Sequence, residues 1–156
     1  MLPAGVQQHG REVAHAVAHR IAPDAARPAA VRSTHYHCYK WSGSGQEWER
    51  LGKSDTLDLN SPDRPPVRTV DWLIKSPRFI AAVHAGPQAA RDWLIGEWDR
   101  AREKAMTPVP EWVSSEDRAA RALKAIETGC WPSYSQWLAG GVIVFLAVVG
   151  SDQTCH

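Results

Sequence analysis

The strongest hydrophobic signal in the sequence is the unbroken apolar run VIVFLAVV at residues 142–149. Eight consecutive apolar residues, rich in β-branched side chains, are typical of a strand that is covered on both faces. The wider apolar stretch, residues 137–150, has only 14 residues, whereas a helix needs roughly 20 to span a bilayer. The run therefore predicts a strand buried within the protein, in the centre of its sheet.

A second strand signal lies in the segment RSTHYHCYKW at residues 32–41, which is rich in aromatic and hydroxyl side chains. The following SGSGQ has the composition of a loop. EWERLG at residues 47–52 and TLDL at residues 56–59 alternate partly between apolar and polar positions. Together these segments predict an N-terminal hairpin or a three-stranded meander.

Helical spacing appears in the remaining blocks, which proline-rich breaks near residues 26, 64 and 109 separate. A first helix is predicted from apolar residues near every 3.6 positions, and its narrow stripe places it on the surface. Ser76 and Pro77 favour the start of a second helix that stops at Gly86, and Pro87 opens a third that runs to about Met106. The stripe of the first helix consists of Val6, Val13, Val17 and Ile21.

A fourth helix is predicted from Ser114, whose side chain can cap a helix with Asp117 three residues later, to Gly129. Its apolar stripe is Ala119, Ala122, Leu123 and Ile126. The order of helix, strands, helices and strand predicts an α+β fold, in which a small sheet packs against three or four helices. The predicted sheet combines the N-terminal hairpin or meander with the buried C-terminal strand. We expect residues 1–28 to form a surface helix and linker, and residues 29–156 to form a single α+β domain.

Composition and charge narrow the function classes. The chain has 156 residues, with 18 basic and 17 acidic residues and a formal net charge of +1. No general attraction to nucleic acid or to an anionic membrane follows from that balance. Three cysteines without a Cys-x-x-Cys spacing, and an N-terminus without an apolar signal core, favour a cytoplasmic protein. The excess of Arg over Lys, with frequent Ala and Trp, is associated with bacterial genomes of high GC content.

The segment HYHCYKW is the first candidate for chemistry. In a strand, His35 and His37 share one face about 7 Å apart, while Cys38 points to the other face. Two such imidazoles can converge on one metal ion, but the sequence does not place a third ligand. The alternative is an aromatic strand with exposed or hydrogen-bonded histidines. His15 and His19 also have a metal-binding spacing, although on the polar side of their helix.

The segment GSDQTCH follows the predicted central strand directly, and Cys155 there is a candidate nucleophile. Its neighbour His156 is badly placed to activate it, so a partner such as His37 would have to come from across the sheet. The alternative is a frayed chain end. The sequence leaves open whether this segment and the histidine strand meet.

A possible acid–base pair comes from the helical block. Glu97 falls on the apolar stripe of the predicted third helix, between tryptophans, and His84 lies on the apolar side of the predicted second helix. A tight turn at Gly86 would bring the two helices together, which makes His84 and Glu97 candidates for acid–base catalysis. The alternatives are a structural hydrogen bond and a glutamate that extends into solvent.

Eight tryptophans are many for this length. Large aromatic rings can wall a pocket for an apolar or aromatic small molecule, and this is the function that the sequence favours. Two other functions remain open: a noncatalytic protein–protein interaction through exposed tryptophans, and a metal-dependent enzyme built on the His-x-His strand. No Walker phosphate loop, Gly-x-Gly-x-x-Gly, Gly-x-Ser-x-Gly or His-Glu-x-x-His motif is present, and the sequence leaves the cofactor unknown. The predicted ligand-binding residues are Tyr39, Trp41, Trp131, Tyr134 and Trp137.

Overall fold

The computed structural model describes residues 35–52, 64–108 and 113–152. These residues form an antiparallel four-stranded sheet, with helices, in the strand order β2-β1-β4-β3. The predicted α+β class is confirmed. The strands are β1 His35–Ser44, β2 Ile80–His84, β3 Ser133–Leu138 and β4 Val142–Ser151. The helices are α1 Gly45–Gly52, α2 Pro87–Glu103 and α3 Ser115–Glu127, with 3-10 helices at Thr69–Ile74 and Pro77–Phe79.

The apolar run forms β4, and its predicted central position is confirmed. β4 pairs with β1 along its whole length, from His35 opposite Ser151 to Ser44 opposite Val142, and it pairs with β3 on its other side. Neither face of β4 is open to solvent, because alternate side chains enter two different hydrophobic clusters. Among the described helices, none is both long enough and apolar enough to cross a membrane.

One face of the sheet is covered by α2 and α3, and we call it the helical face. Leu94 of α2 and Ile126 of α3 are buried against Leu146 and Val148 of β4. The stripe predicted for α3 is largely confirmed, because Ala122 and Ile126 are buried and Ala119 packs against the same cluster. Cys38 of β1 also lies in this cluster and is fully buried.

The opposite face, which we call the aromatic face, is covered by α1 and the two 3-10 helices. Tyr39 stacks on Trp72 with a ring separation of 5.2 Å, and Trp41 packs edge-on against Phe145 at 5.8 Å. Trp48 of α1 lies against Phe145 at 4.9 Å. The aromatic face of the central strands is thus closed by aromatic packing, whereas on the helical face Lys40, Ser42 and Ser44 of β1 are exposed.

Two predicted elements are wrong in type. Residues 45–52, predicted as loop and strand, form helix α1, because six residues of partial alternation cannot separate a period of 2 from one of 3.6. Residues 77–86, predicted as a helix, form a short 3-10 turn followed by the edge strand β2.

The predicted hairpin or meander also differs from the structure, because β1 pairs with β2 and β4 rather than with the residues that follow it. Helices α2 and α3 begin where the proline and serine signals predict. The predicted first helix, the segment TLDL and the boundary at residue 28 lie outside the described residues.

Candidate functional site

Three polar side chains form a hydrogen-bonded row along β1 on the aromatic face. The Nε2 atoms of His35 and His37 lie 2.9 Å apart, and His37 Nδ1 lies 3.1 Å from the Tyr39 hydroxyl. The residues occupy alternate positions of the strand, so they share one face as the sequence predicts. Cys38 lies on the other face, also as predicted.

His37 sits at the inner end of the histidine pair. Its side chain is largely buried, and this burial, together with the charge of the neighbouring His35, lowers the pKa of His37 below its ordinary value. The ring packs edge-on against Tyr39, which in turn stacks on Trp72. Its orientation is therefore fixed by the aromatic face, and a lowered pKa favours the neutral imidazole, whose nitrogen can accept a proton or bind a metal.

The row of histidines lies next to the last described residues of the chain. His35 is the register partner of Ser151, which is buried. Paired residues of antiparallel strands point to the same face, so Ser151 adjoins the histidine pair. The segment that contains Cys155 and His156 begins two residues later and lies outside the described residues. The predicted nucleophile Cys155 therefore stays a prediction.

A metal ion needs more ligands than the histidine pair supplies. Within residues 35–52, 64–108 and 113–152, no group of three or more His, Cys, Asp or Glu side chains is arranged to hold one. The structure does bring the two predicted ligands, His35 and His37, together at their Nε2 atoms.

Cys38 lies between His37 and Tyr39 in the sequence, but its thiol is protected from reaction with reagents in solution. It is fully buried, and burial raises the pKa of its thiol to about 12. Because the thiolate is the reactive form of cysteine, such a group is inert at neutral pH.

The predicted acid–base pair of His84 and Glu97 is not formed. His84 ends β2, opposite Tyr36, whereas Glu97 bonds to Lys40, four positions further along β1. Four strand positions correspond to about 13 Å. The two residues are separated because residues 80–84 form a strand, so the tight helix–helix turn on which their pairing depended does not exist.

Glu97 instead lies at the mouth of a cavity on the helical face. The cavity has a volume of about 310 Å³ and lies between the second half of α2 and the sheet. Its buried lining residues, Ala101, Val144 and Leu146, are apolar and form the inner wall, whereas the charged side chains of Lys40 and Arg100 are exposed and form part of the rim. The apolar lining comprises Ala101, Leu138, Val142, Val144 and Leu146, and the polar lining comprises Lys40, Ser42, Glu97, Arg100 and Lys104.

The polar rim carries three basic side chains and one carboxylate. Lys40 Nζ donates to Glu97 Oε2 at 2.7 Å, and Arg100 donates to the other oxygen, Oε1, of the same carboxylate. Lys104, one turn beyond Arg100, is exposed. With one negative charge among three positive ones, the rim keeps a net charge of about +2.

Backbone hydrogen bonds hold the end of α2 against β3 and so fix the position of the cavity. Ala139 N donates to Lys104 O at 2.8 Å, and Met106 N donates to Trp137 O at 2.9 Å. The cavity wall from Ala101 to Leu138 is therefore built on a rigid frame. Of its charged residues only Glu97 was a candidate from the sequence, although Arg100 and Lys104 follow it at helical spacings of three and seven residues.

The predicted ligand-binding aromatic residues do not all lie on one face of the sheet. Tyr134 packs on the helical face, whereas Trp137 lies in the cluster of the aromatic face with Tyr39 and Trp41. Tyr134 and Trp137 are separated because residues 133–138 form a strand whose side chains alternate. Trp131 contacts both clusters, and none of these five aromatics lines the described cavity.

The tryptophans that the structure describes are buried or half-buried. Of the seven that the structure describes, none is exposed, and Trp112 lies outside the described residues. The large hydrophobic side chains that are exposed in the described ranges are aliphatic, with Val67 and Ile74 the most exposed. An interaction surface made of these residues would therefore lack tryptophan anchors, and the protein–protein function stays a prediction.

No protein-family model, curated protein or solved structure matches the chain. The fold defines the class, an α+β protein with a four-stranded antiparallel sheet. Because one fold hosts many functions, the function has to be argued from the geometry of the site itself.

Proposed function

We propose that the protein binds a small molecule with an apolar body and an anionic group in the cavity between α2 and the sheet. The observation that carries the proposal is the contrast between the apolar inner wall and the rim of Lys40, Arg100 and Lys104. A volume of about 310 Å³ falls at the lower end of the range for small-molecule sites. The ligand would be a short aliphatic or single-ring acid.

The apolar wall supplies the driving force for the body of such a ligand. Leu138, Val142 and Val144 lie at one end of the β3–β4 hairpin, and Ala101 opposes them from α2. Burying apolar surface contributes about 25 cal/mol per Å² before the cost of association is subtracted. A small ligand with only an apolar body would bind weakly. The charged rim therefore determines the preference for ligands that also carry a negative group.

The rim is arranged to favour a negative group. Glu97 holds Lys40 and Arg100 at the edge of the cavity, and the two cations approach it from β1 and from its own helix. Positions fixed in this way lower the entropy lost when an anion binds. A cationic ligand would meet an unfavourable potential, since the rim has a net positive charge.

Binding, rather than catalysis, is the function that this arrangement supports. Both oxygens of Glu97 already accept hydrogen bonds from basic side chains, and the predicted catalytic residues His37, His84 and Glu97 lie in three separate places. A binding protein for small acids needs only the cavity and its rim.

Three probes with the same tail test the charge preference: octanoate, octan-1-ol and octylammonium, titrated calorimetrically into the full chain at low salt. We expect octanoate to bind most tightly and octylammonium most weakly, with the difference shrinking as salt screens the rim. Equal or tighter binding of octylammonium would contradict the proposal.

Two variants with matched chemistry locate the site. Lys104→Gln should weaken octanoate binding about 1.4- to fivefold, since an exposed ion pair contributes roughly 0.2–1 kcal/mol. Lys124→Gln removes the same charge from an exposed position on α3, away from the cavity, and should leave binding unchanged. Ala101→Leu narrows the cavity and should weaken octanoate and octanol together. Equal effects of both lysine variants would show that binding occurs elsewhere.

A further inference from the structure

The cavity between α2 and the sheet is long enough to have two distinct ends. On the sheet side its lining runs along β4 from Val142 to Leu146, four strand positions or about 13 Å. On the helix side its lining runs from Glu97 to Lys104, seven residues or about 10 Å. Groups at its two ends can therefore contact different parts of one ligand.

One end of the cavity carries two cations that share one carboxylate. Lys40 is the register partner of Leu146, and its Nζ donates to Glu97 Oε2 at 2.7 Å. Arg100 donates to the other oxygen of Glu97. An ammonium group has three N–H donors and a guanidinium group has five, so both cations keep donors for a second anion. This end therefore has a net charge of about +1.

The opposite end of the cavity carries a cation of its own. Lys104 O accepts from Ala139 N at 2.8 Å, and the preceding residue, Leu138, is paired with Val142 at the start of β4. The side chain of Lys104 lines the cavity here and is exposed. None of the ion pairs among the described residues involves Lys104. Its charge is therefore available to an anion at this end.

A positive charge at each end of an apolar cavity is complementary to a linear molecule with a negative charge at each end. We infer that the ligand is an α,ω-dicarboxylate, with one carboxylate bound at Lys40 and Arg100 and the other at Lys104. Its methylene chain lies along the inner wall, against Ala101 and Val144, which are buried and apolar. This inference rests on the proposed ligand-binding function and names the class of acid that the site takes.

Suberate and its monomethyl ester test the inference, because they share one chain and differ in the charge of one end. Both are titrated calorimetrically into the full chain at neutral pH and low salt. The readout is the ratio of the suberate affinity to the ester affinity, since comparing this ratio between variants cancels the effect of the extra methyl group.

Lys104→Gln should lower this ratio about 1.4- to fivefold, the contribution of one exposed ion pair. The second carboxylate of suberate loses its cation, whereas the single charge of the ester can still bind at Lys40 and Arg100. Lys104→Glu should lower the ratio further, because the new carboxylate repels the second charge of suberate.

Lys124→Gln is the matched control, since it removes the same charge from an exposed position on α3 that does not line the cavity, and it should leave the ratio unchanged. An unchanged ratio in Lys104→Gln, or an equal fall in Lys124→Gln, overturns the inference. Neither result affects the proposed function, which depends on the preference for octanoate over octylammonium. If the native chain binds neither octanoate nor suberate, the proposed function and the inference fail together.

Discussion

Gly43 controls the packing of Trp41 through the absence of a side chain. A Cβ atom placed on Gly43 would lie 2.3 Å from Cη2 and 2.7 Å from Cζ2 of the Trp41 indole. The two residues are separated by one position on β1, so both point to the aromatic face. The indole therefore lies across the bare backbone of Gly43, from where it also packs against Phe145.

Gly43→Ala should lower the free energy of unfolding by about 1–3 kcal/mol, because the added methyl group forces a buried ring to move. Urea denaturation monitored by tryptophan fluorescence measures the change. Gly96→Ala is the matched control, since a Cβ at that position in α2 meets no atom within 4 Å. It should raise stability by about 0.5–1 kcal/mol, as alanine replaces glycine within a helix. A loss of stability in both variants would contradict this account.

Residue chemistry could be predicted from the sequence only where it depends on neighbours along the chain. Strand alternation places His35 and His37 together and Cys38 apart, and the structure confirms both. The contact between Lys40 and Glu97 could not be predicted, because it joins residues 57 positions apart through the packing of α2 on β1.

Ser114 determines where helix α3 begins. Its Oγ accepts a hydrogen bond from Asp117 N at 3.0 Å and donates to the Asp117 carboxylate at 2.9 Å. Asp117 occupies the sequence position of the glutamate or glutamine in a capping box, but its carboxylate accepts from the Ser114 hydroxyl, whereas the usual residue accepts from the backbone N–H of the capping residue. At the other end, Gly129 adopts a positive φ of 72°, and Cys130 N donates to Ala125 O.

Ser114→Ala should destabilise the protein by about 1 kcal/mol, because an N–H at the start of α3 loses its acceptor. The adjacent Ser115→Ala is the control: Ser115 is the first helical residue, and its hydroxyl makes only a long contact of 3.5 Å to Asp99. Thermal unfolding of the two variants should differ, with Ser114→Ala melting at the lower temperature. Equal melting temperatures would show that the cap contributes nothing.

Element type was predictable where the sequence signal is long or has specific end residues. β4 has ten residues and α2 has seventeen, and both were predicted. α1 has eight residues and β2 only five, too few for periodicity to distinguish helix from strand. Ser76 and Pro77 do begin a helical turn, but it is a 3-10 turn of three residues, and tertiary pairing with β1 then determines β2.

At the scale of the whole molecule, β1 and β4 form the centre of the structure. They pair over ten positions, with β2 and β3 at the edges and packed clusters on both faces. Cys38 lies within this pair and is fully buried. Its thiol can meet a reagent in solution only when the central strands open.

The rate of thiol labelling should therefore differ between buried Cys38 and exposed Cys130. In a Cys155→Ser background, the native protein should react rapidly at exposed Cys130 alone, while Cys38 reacts at a rate set by global unfolding. Its burial and its pKa of about 12 both suppress direct reaction. Mass spectrometry in increasing urea measures the two rates, and adding Cys130→Ser should remove the fast phase. Rapid labelling of Cys38 in buffer would contradict the buried central pair.

The pairing of β1 with β4 also has a consequence for synthesis on the ribosome. β1 ends at Ser44 and its central partner begins at Val142, so about a hundred residues are made between them. At roughly 5–20 residues per second, this takes about 5–20 s. During that time the aromatic and apolar side chains of β1 lack the strand that pairs with them along their whole length in the folded protein, and transiently exposed surface of this kind is prone to aggregation.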